Sequence, residues 1–568
     1  MVVVGTGILT TILVNPWFAF DPINLPKMVA LSTGAAFLLG VLLTNRESLT
    51  REYYPIIVLA ILFTVSLILS FFVNSAPWYQ QLWGTWGRST GLISYISFTT
   101  ITVASLLISS TEQMRLTRVS FERLGYFMTL YTLLQLMDLD PINWSQKIMI
   151  ATLGNINFMS SFLGLTAISY SCRFFLEKLA FSAKLYFASL TSLNLYLIYI
   201  SESIQGIGVY FAGLTLLLTF KIRQIFKFAQ ALLFFVLSLV FGILGLLGTA
   251  GFGPLSLLKQ ETVLFRLDYW RAGINMVLAN PLNGVGVDSY GDFYREFRTL
   301  EAVIRTGPQR VTNTAHNIFL DVFAGSGVFA GILFTLIMIV TAKAILSGLK
   351  NNFLNHDFIA SGGIWLGFMV FCLISINQIG VGVWGFIFTG IVNGFTIKYR
   401  IEKKSSKNSL ASVKRGTKSG LNQQQSALTS VRELRSSNKA LQIAASGILS
   451  ITVATLSLIP NVADARFISA IRSSNLDLAR EVIKFPGIQD FHKEKLISDL
   501  AEAGRSEESL ELAQLLVKQN PHSWSAWVAI VSSSVATRDQ RVRAANELFR
   551  LDPNNELVKK EISAALFP

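Results

Sequence analysis

The stretch VTNTAHNIFLDVFAGSGVFAGILF, residues 311–334, decides how this chain is read. A polar loop passes through a histidine into an apolar run that continues to about residue 342. A run of that length matches the roughly 20 residues that carry a helix across the hydrocarbon core of a bilayer. His316 stands at the border. An imidazole there is either a satisfied helix-start residue or the base of a site at the membrane face, and these residues alone leave both readings open.

The rest of the chain supports the membrane reading. Of 568 residues, 52% are hydrophobic and 14% are charged, with a mean hydropathy of +0.50. Soluble domains carry about 25% charged residues, so charge has been removed from long stretches, as a lipid solvent demands. Further apolar runs lie near 1–18, 28–44, 54–73, 91–110, 121–137, 151–172, 184–200, 206–220, 229–249, 358–376 and 379–397. With 316–342 they make twelve spans, and a thirteenth lies at 440–460. The first run lacks a basic leader and a small-residue cleavage site, so it reads as a retained anchor. The fold class expected is all-α, a polytopic membrane domain over 1–397. Cys172 and Cys372 both fall in apolar segments and offer neither a disulfide framework nor a metal cluster.

The loops alternate in charge. One set holds Arg46 and Arg51; Arg115, Arg118 and Arg123; Arg173, Lys178 and Lys184; Lys221, Arg223 and Lys227; Lys343 and Lys350. The short loops of the other set hold only Lys27, Arg88 and Lys147. The positive-inside rule assigns the first set to the cytoplasm. The N-terminus is then inside, and the long loop 250–315 outside.

Residues 398–439 hold eleven Lys/Arg against two Glu and are rich in Ser and Gln. With little to bury, the segment reads as a disordered cytoplasmic linker. It either fixes topology or lies on anionic headgroups; the net charge of +14 comes without a nucleic-acid-binding signature, so no nucleic-acid partner is expected. The thirteenth span exports residues 463–568. There Pro486, Pro521 and Pro553 recur 35 and 32 residues apart, close to the tetratricopeptide period of about 34. AEAGRSEESLELAQLLVKQNP (501–521) reads as helix, turn, helix, stop, with Ser506 as the N-cap. The tail resembles about three degenerate tetratricopeptide repeats. Such a solenoid either binds a protein partner or acts as a spacer.

Polar chemistry gathers in the outer loop 250–315. It carries Lys259, Arg266, Arg271, Arg295, Arg298, Arg305 and Arg310, with the carboxylates Glu261, Asp268, Asp288, Asp292, Glu296 and Glu301. Helical periodicity runs from Arg266 to Leu278. NPLNGVGVDSY (280–290) breaks it, with Gly284 and Gly286 allowing a tight backbone, and Asp292 to Arg305 reads as a second helix. The arginine fork matches a diphosphate bidentately; the other reading pairs each arginine with a loop carboxylate. Arg266, beside Phe265, Tyr269 and Trp270, is the one favoured for anion binding. His316, expected to open span ten, is kept neutral by the helix N-terminus and is able to take a proton from a hydroxyl. Asn317 is placed to orient it. Asp138 and Asp140 form an Asp-x-Asp pair that either binds a cation or arises by chance, and no nucleotide-binding Gly-x-x-x-x-Gly-Lys loop occurs.

Five stretches, in order, resemble the O-antigen ligase and polymerase family of polytopic bacterial membrane proteins. They are GTWGRSTGLISYI (84–96), LGNINFMSSFLG (153–164), SESIQGIGVYFAG (201–213), FRLDYWRAGINMVLANPLNGVGVDSYGDF (265–293) and AHNIFLDVFAGSGVFAGILF (315–334). The resemblance covers about residues 1–400. It implies a glycosyltransferase at the outer face of the bacterial cytoplasmic membrane, using an undecaprenyl-diphosphate-linked glycan and no cofactor or metal. By motif position Arg266 holds the diphosphate, His316 activates the acceptor and Arg88 assists with the phosphates. Where the family has Ser-Arg-Gly, this chain has Gln205, which donates a hydrogen bond but carries no charge; Arg88, Arg271 or Arg310 is left to compensate. The acceptor implied is a glycan, a lipid or a protein: ligase, repeat-unit polymerase and protein oligosaccharyltransferase stay open. A non-catalytic transporter of lipid-linked sugar is the reading from another class, and it calls for ionisable groups at mid-membrane.

Overall fold

The computed structural model describes residues 1–45, 49–142, 144, 148–414, 439–556 and 560. Arg46, Lys147, linker residues 415–438 and nearly all of the tail beyond Glu556 lie outside the described residues. The fold is all-α, with 77% of the chain in helices and no strand among the described residues.

Among the described residues, eight helices are long and apolar enough to cross a membrane, which makes this a multi-pass membrane protein. They are Asn24–Thr44, Arg51–Val73, Ile204–Ile225, Phe228–Thr249, Ile318–Lys350, His356–Ile374, Ile379–Ser406 and Gln442–Arg472. Other runs read as spans are shorter or more polar. The first, read as 1–18, is helical only over Val2–Ile12, because Pro16 disfavours helix in the residue before it. Its open carbonyls are satisfied from the next helix: Lys27 Nζ donates to Thr11 O and, at 3.2 Å, to Leu13 O. Lys27 is therefore a buried cap rather than a loop charge. Leu92–Ser105 is likewise short.

Thr111–Leu136, Ile156–Leu176 and Phe181–Ile200 have sufficient length but carry polar side chains. The physical reason is where they sit. Ile156–Leu176 packs against Ile204–Ile225 and His356–Ile374 and is buried along nearly its whole length. A helix that touches protein rather than lipid needs partners more than apolar surface. Ser160 meets Ser203 at 2.6 Å, Asn194 Nδ2 donates to Thr166 Oγ1 at 2.9 Å, and Ser169 donates to Glu122 at 2.7 Å. Phe228–Thr249, by contrast, is scarcely buried and almost wholly apolar.

Loops from the two charge sets gather separately. In the strongly basic set, Arg118 bonds Asp357 at 2.7 Å and Glu177 at 2.6 Å, and Asn355 reaches Thr111 at 3.3 Å. In the other set, Asn24 Nδ2 donates to Gly87 O at 2.6 Å, Thr85 N donates to Asp288 at 2.9 Å and Gln489 Nε2 donates to Gly84 O at 3.1 Å. Residues 84–91, 280–316 and the tail thus share one end of the bundle.

The run 316–342, read as one continuous span, is broken. Gly327 has φ +83° and ψ 175° inside the Ile318–Lys350 helix. The break frees carbonyls that the loop satisfies: Val285 N donates to Ala324 O at 2.8 Å and Gly286 N to Gly325 O at 2.9 Å. In return Val328 N donates to Pro281 O at 2.8 Å. The glycines of NPLNGVGV are needed for this approach; a Cβ on Gly284 would overlap Ala324 O, and one on Gly327 would overlap Leu282 O. Gly327→Ala is expected to destabilise the protein by about 2–5 kcal/mol through backbone strain and overlap, seen as a lower melting temperature in detergent. Gly242→Ala, on the lipid-facing helix with open space around it, serves as the neutral control.

Four further expectations are corrected. Asp292 to Arg305 is two helices, Tyr290–Phe297 and Leu300–Thr306, because Thr299 caps the second by accepting from Ala302 N. The basic segment does not begin irregular at 398; the Ile379–Lys414 helix covers its first part, as far as the described residues go. Nor does the thirteenth run stop at 460, since Lys439–Arg472 continues through Pro460 into the tail. Beyond it the helices Leu476–Val482, Asp490–Glu502, Ser506–Gln519, Trp524–Ser532 and Arg538–Leu551 pack in succession around Leu496, Leu500, Leu512, Leu516 and Leu548. Ser506 is the first residue of its helix, not the cap; Arg505 holds the N-cap position.

Candidate active site

The site is framed by one buried arginine. Arg88 Nη2 pairs with Asp288 Oδ1 at 3.1 Å and lies 4.0 Å from Asp321 Oδ2, while Nη1 donates to Asn313 O at 2.7 Å. It thereby ties residues 84–90 to the loop after 280 and to the start of the broken span. Asp288 is held in turn by Thr85 N and by Thr90 Oγ1 at 3.0 Å. Burial pushes its carboxyl above the usual carboxylate range.

Asp321 shapes the turn that presents the histidine. Its carboxylate accepts from Thr314 Oγ1 at 2.6 Å and from Ala315 N at 2.8 Å. Thr314 Oγ1 also accepts from His316 N at 3.2 Å. This local network holds His316 at φ +52°, a conformation uncommon for a residue with a Cβ. The helix begins only at Ile318, so His316 precedes the helix instead of opening it. Asn317, expected to orient the imidazole, caps the helix: its Oδ1 accepts from Leu320 N at 3.1 Å.

The imidazole stacks on Tyr269, with ring centroids 5.6 Å apart and planes inclined by 29°. Tyr290 OH donates to Tyr269 O at 2.5 Å, and Tyr269, Tyr290, Phe293, Tyr294 and Ala315 share one apolar cluster. Burial, followed by the charges of Arg266 and Arg88, lowers the His316 pKa to about 3. Burial beside two guanidiniums, rather than the helix end, is the cause that favours the neutral imidazole.

Arg266 is partly exposed and, among the described residues, has no carboxylate partner; burial lowers its pKa. Arg310 lies on the same side, its guanidinium 4.6 Å from the Phe265 ring centroid. Arg271 is directed elsewhere: it is exposed, and its charge acts on Asp268 and Glu301. Gln205 is buried at the start of the Ile204–Ile225 helix, with its Nε2 unpartnered; no contact ties it to His316 among the described residues. Asp140 accepts from Tyr131 OH at 2.8 Å, Gln135 Nε2 at 2.7 Å and its own turn at Ile142 N. Arg266 and Arg310 thus lie beside Tyr269, on which His316 stacks, and the charge of Arg88 reaches the same imidazole.

Sequence reading passed over Asp321, which lies inside an apolar run, and counted Asp288 only as one of six loop carboxylates. The one available signal was the placement of Asp321 seven residues after Thr314, which becomes a contact only through the turn.

This is a multi-pass α-helical membrane protein with a cationic, aromatic site at one end of its bundle. Residues 188–335 match the family model described as O-antigen ligase. The match spans Gln205, Arg266, Gly284, Gly286 and His316 and supports the O-antigen ligase family for this chain. It supports a ligase or polymerase type of function in glycan assembly, by a glycosyltransferase-type enzyme acting on lipid-linked glycans. No curated protein matches the chain.

Proposed function

We propose that the protein transfers a glycan from an undecaprenyl-diphosphate carrier to an acceptor hydroxyl at the outer face of the bacterial cytoplasmic membrane. The observation that carries this reading is Arg266, a guanidinium without a carboxylate partner among the described residues, close enough to a neutral His316 to shift its titration. The acceptor hydroxyl gives its proton to the imidazole. Its oxygen forms a bond to the anomeric carbon while the bond from that carbon to the diphosphate oxygen breaks. The leaving diphosphate is an anion, and Arg266, with Arg310, supplies fixed positive charge where that anion develops. Arg88, committed to Asp288, holds the frame.

The direct test is the product formed by purified protein in lipid nanodiscs with a diphosphate-linked glycan. Transfer with release of lipid diphosphate supports the reading. The product's form separates polymerase, ligase and protein glycosylation. Movement of the donor across the bilayer without transfer would make the protein a transporter instead.

A pH profile tests the base. With burial and neighbouring guanidiniums lowering the imidazole pKa to about 3, the acid limb of kcat/KM, which reports the free enzyme, should lie well below the ordinary histidine range. A bound diphosphate offsets the guanidinium charges that disfavour imidazolium, so the limb in kcat should lie at higher pH. Coincident limbs in the two profiles would argue against His316 titrating beside the diphosphate.

A further inference from the structure

We propose that the C-terminal helices are a clamp on the reaction site, with Asp552 as a positioning residue for its outer wall. The tail grips both segments that build the site. On one side, the Phe491 ring stacks on Trp86, centroids 3.7 Å apart and 7° between planes, two residues before Arg88. Gln489 holds Gly84 O in the same loop. On the other side, Asp552 receives Arg298 Nε at 3.0 Å and Arg295 Nη1 at 3.2 Å. The side chains of Arg298 and Asp552 are both fully buried.

The Arg298 contacts continue toward the chemistry. Its Nη2 donates to Pro308 O at 2.9 Å and its Nη1 to Arg310 O at 3.1 Å. Arg310 carries the cation over Phe265, next to Arg266, and the chain reaches His316 six residues later. A buried guanidinium is stable only while its charge is compensated. Asp552 compensates it, so the tail fixes the backbone that leads into His316. Asn554 Nδ2 adds a bond to Arg298 O at 2.8 Å. The His522 ring lies 4.0 Å from Phe293, and Arg295 lies over Trp524 at 4.3 Å. The face of the tail toward the loop is therefore in direct contact with the chain's own Tyr290–Phe297 helix.

This inference rests on the His316–Arg266 site. It is tested in the full-length protein with a diphosphate-linked glycan and a small soluble acceptor that needs no docking. Asp552→Ala should lower kcat on the order of a hundredfold, the effect of a displacement near 1 Å at a reacting group, and Asp552→Glu should recover part of it. Phe491→Ala, a milder change at the second grip, should cost about tenfold by the same argument. If Asp552→Ala does not fold, Phe491→Ala decides alone: a lowered kcat supports the clamp and an unchanged one overturns it. Wild-type kcat in both variants overturns it too, and makes the tail a spacer or a recruitment module. His316→Asn, run in parallel, separates the two readings. If it is inactive while the tail variants are not, only the clamp fails; if it is active, the site assignment fails.

Discussion

Replacing His316 should reduce glycan transfer by about 10²–10⁴-fold, the usual contribution of a positioned general base, while the protein still inserts and binds donor. The substitution needs care, because the residue sits at φ +52°. Alanine there removes the imidazole and also leaves a Cβ residue in a conformation it disfavours. Asparagine tolerates the left-handed region far better and has no basic nitrogen, so His316→Asn isolates the proton transfer. Both variants should lose turnover alike, and only the alanine variant should lose stability. The measurements are initial transfer rate, donor binding and melting temperature. Wild-type turnover in His316→Asn would remove the imidazole from the mechanism.

Arg266 leads to the second large effect, and it runs against ordinary expectation for a half-buried arginine. Most such groups are paired, and cutting them costs stability. Arg266 has no carboxylate partner among the described residues, and burial already disfavours its charge. Arg266→Ala should therefore leave the melting temperature unchanged or raise it, while donor affinity and transfer fall on the order of a hundredfold through loss of a charge-assisted, bidentate contact. Arg266→Lys keeps the charge but not the fork, and its activity should lie between the two. Removing the cation also removes one of the charges that lowers the His316 pKa, so the acid limb of kcat/KM should move up in Arg266→Ala. An arginine that served only the fold would give the opposite pattern: lower stability and unchanged donor affinity.

Particular residues show where sequence reading succeeds. Helical character, the apolar runs and the grouping of loops by charge follow from composition along the chain, because lipid imposes its demand locally, residue by residue. Arg266 and His316 stood out for a similar reason, as polar side chains at the membrane border. The errors share another cause. Polar helices such as Ile156–Leu176 are central and answer to neighbours rather than to solvent. Lys27 looked like a loop charge until its acceptors, Thr11 O and Leu13 O, were in view. The helix starts read at His316 and Ser506 were off by two positions and one, because a helix start depends on the backbone angles before it.

The amino-acid sequence by itself determined that this is an all-α membrane protein, with arginines and carboxylates gathered in the 250–315 loop and a polar tail of helices at its end. Only the tertiary structure decided which arginines act together. Arg88 and Arg298 are spent on Asp288 and Asp552, partners 200 and 254 residues away; Arg271 faces away, and Arg266 is left without a carboxylate among the described residues. A charge's role depends on what neutralises it, and that partner is chosen by folding over distances that no local pattern encodes. The same holds for the tail. Its helices can be read from periodicity along the chain, but that the Tyr290–Phe297 helix of the same chain packs against them is a fact of docking, written in contacts between distant segments.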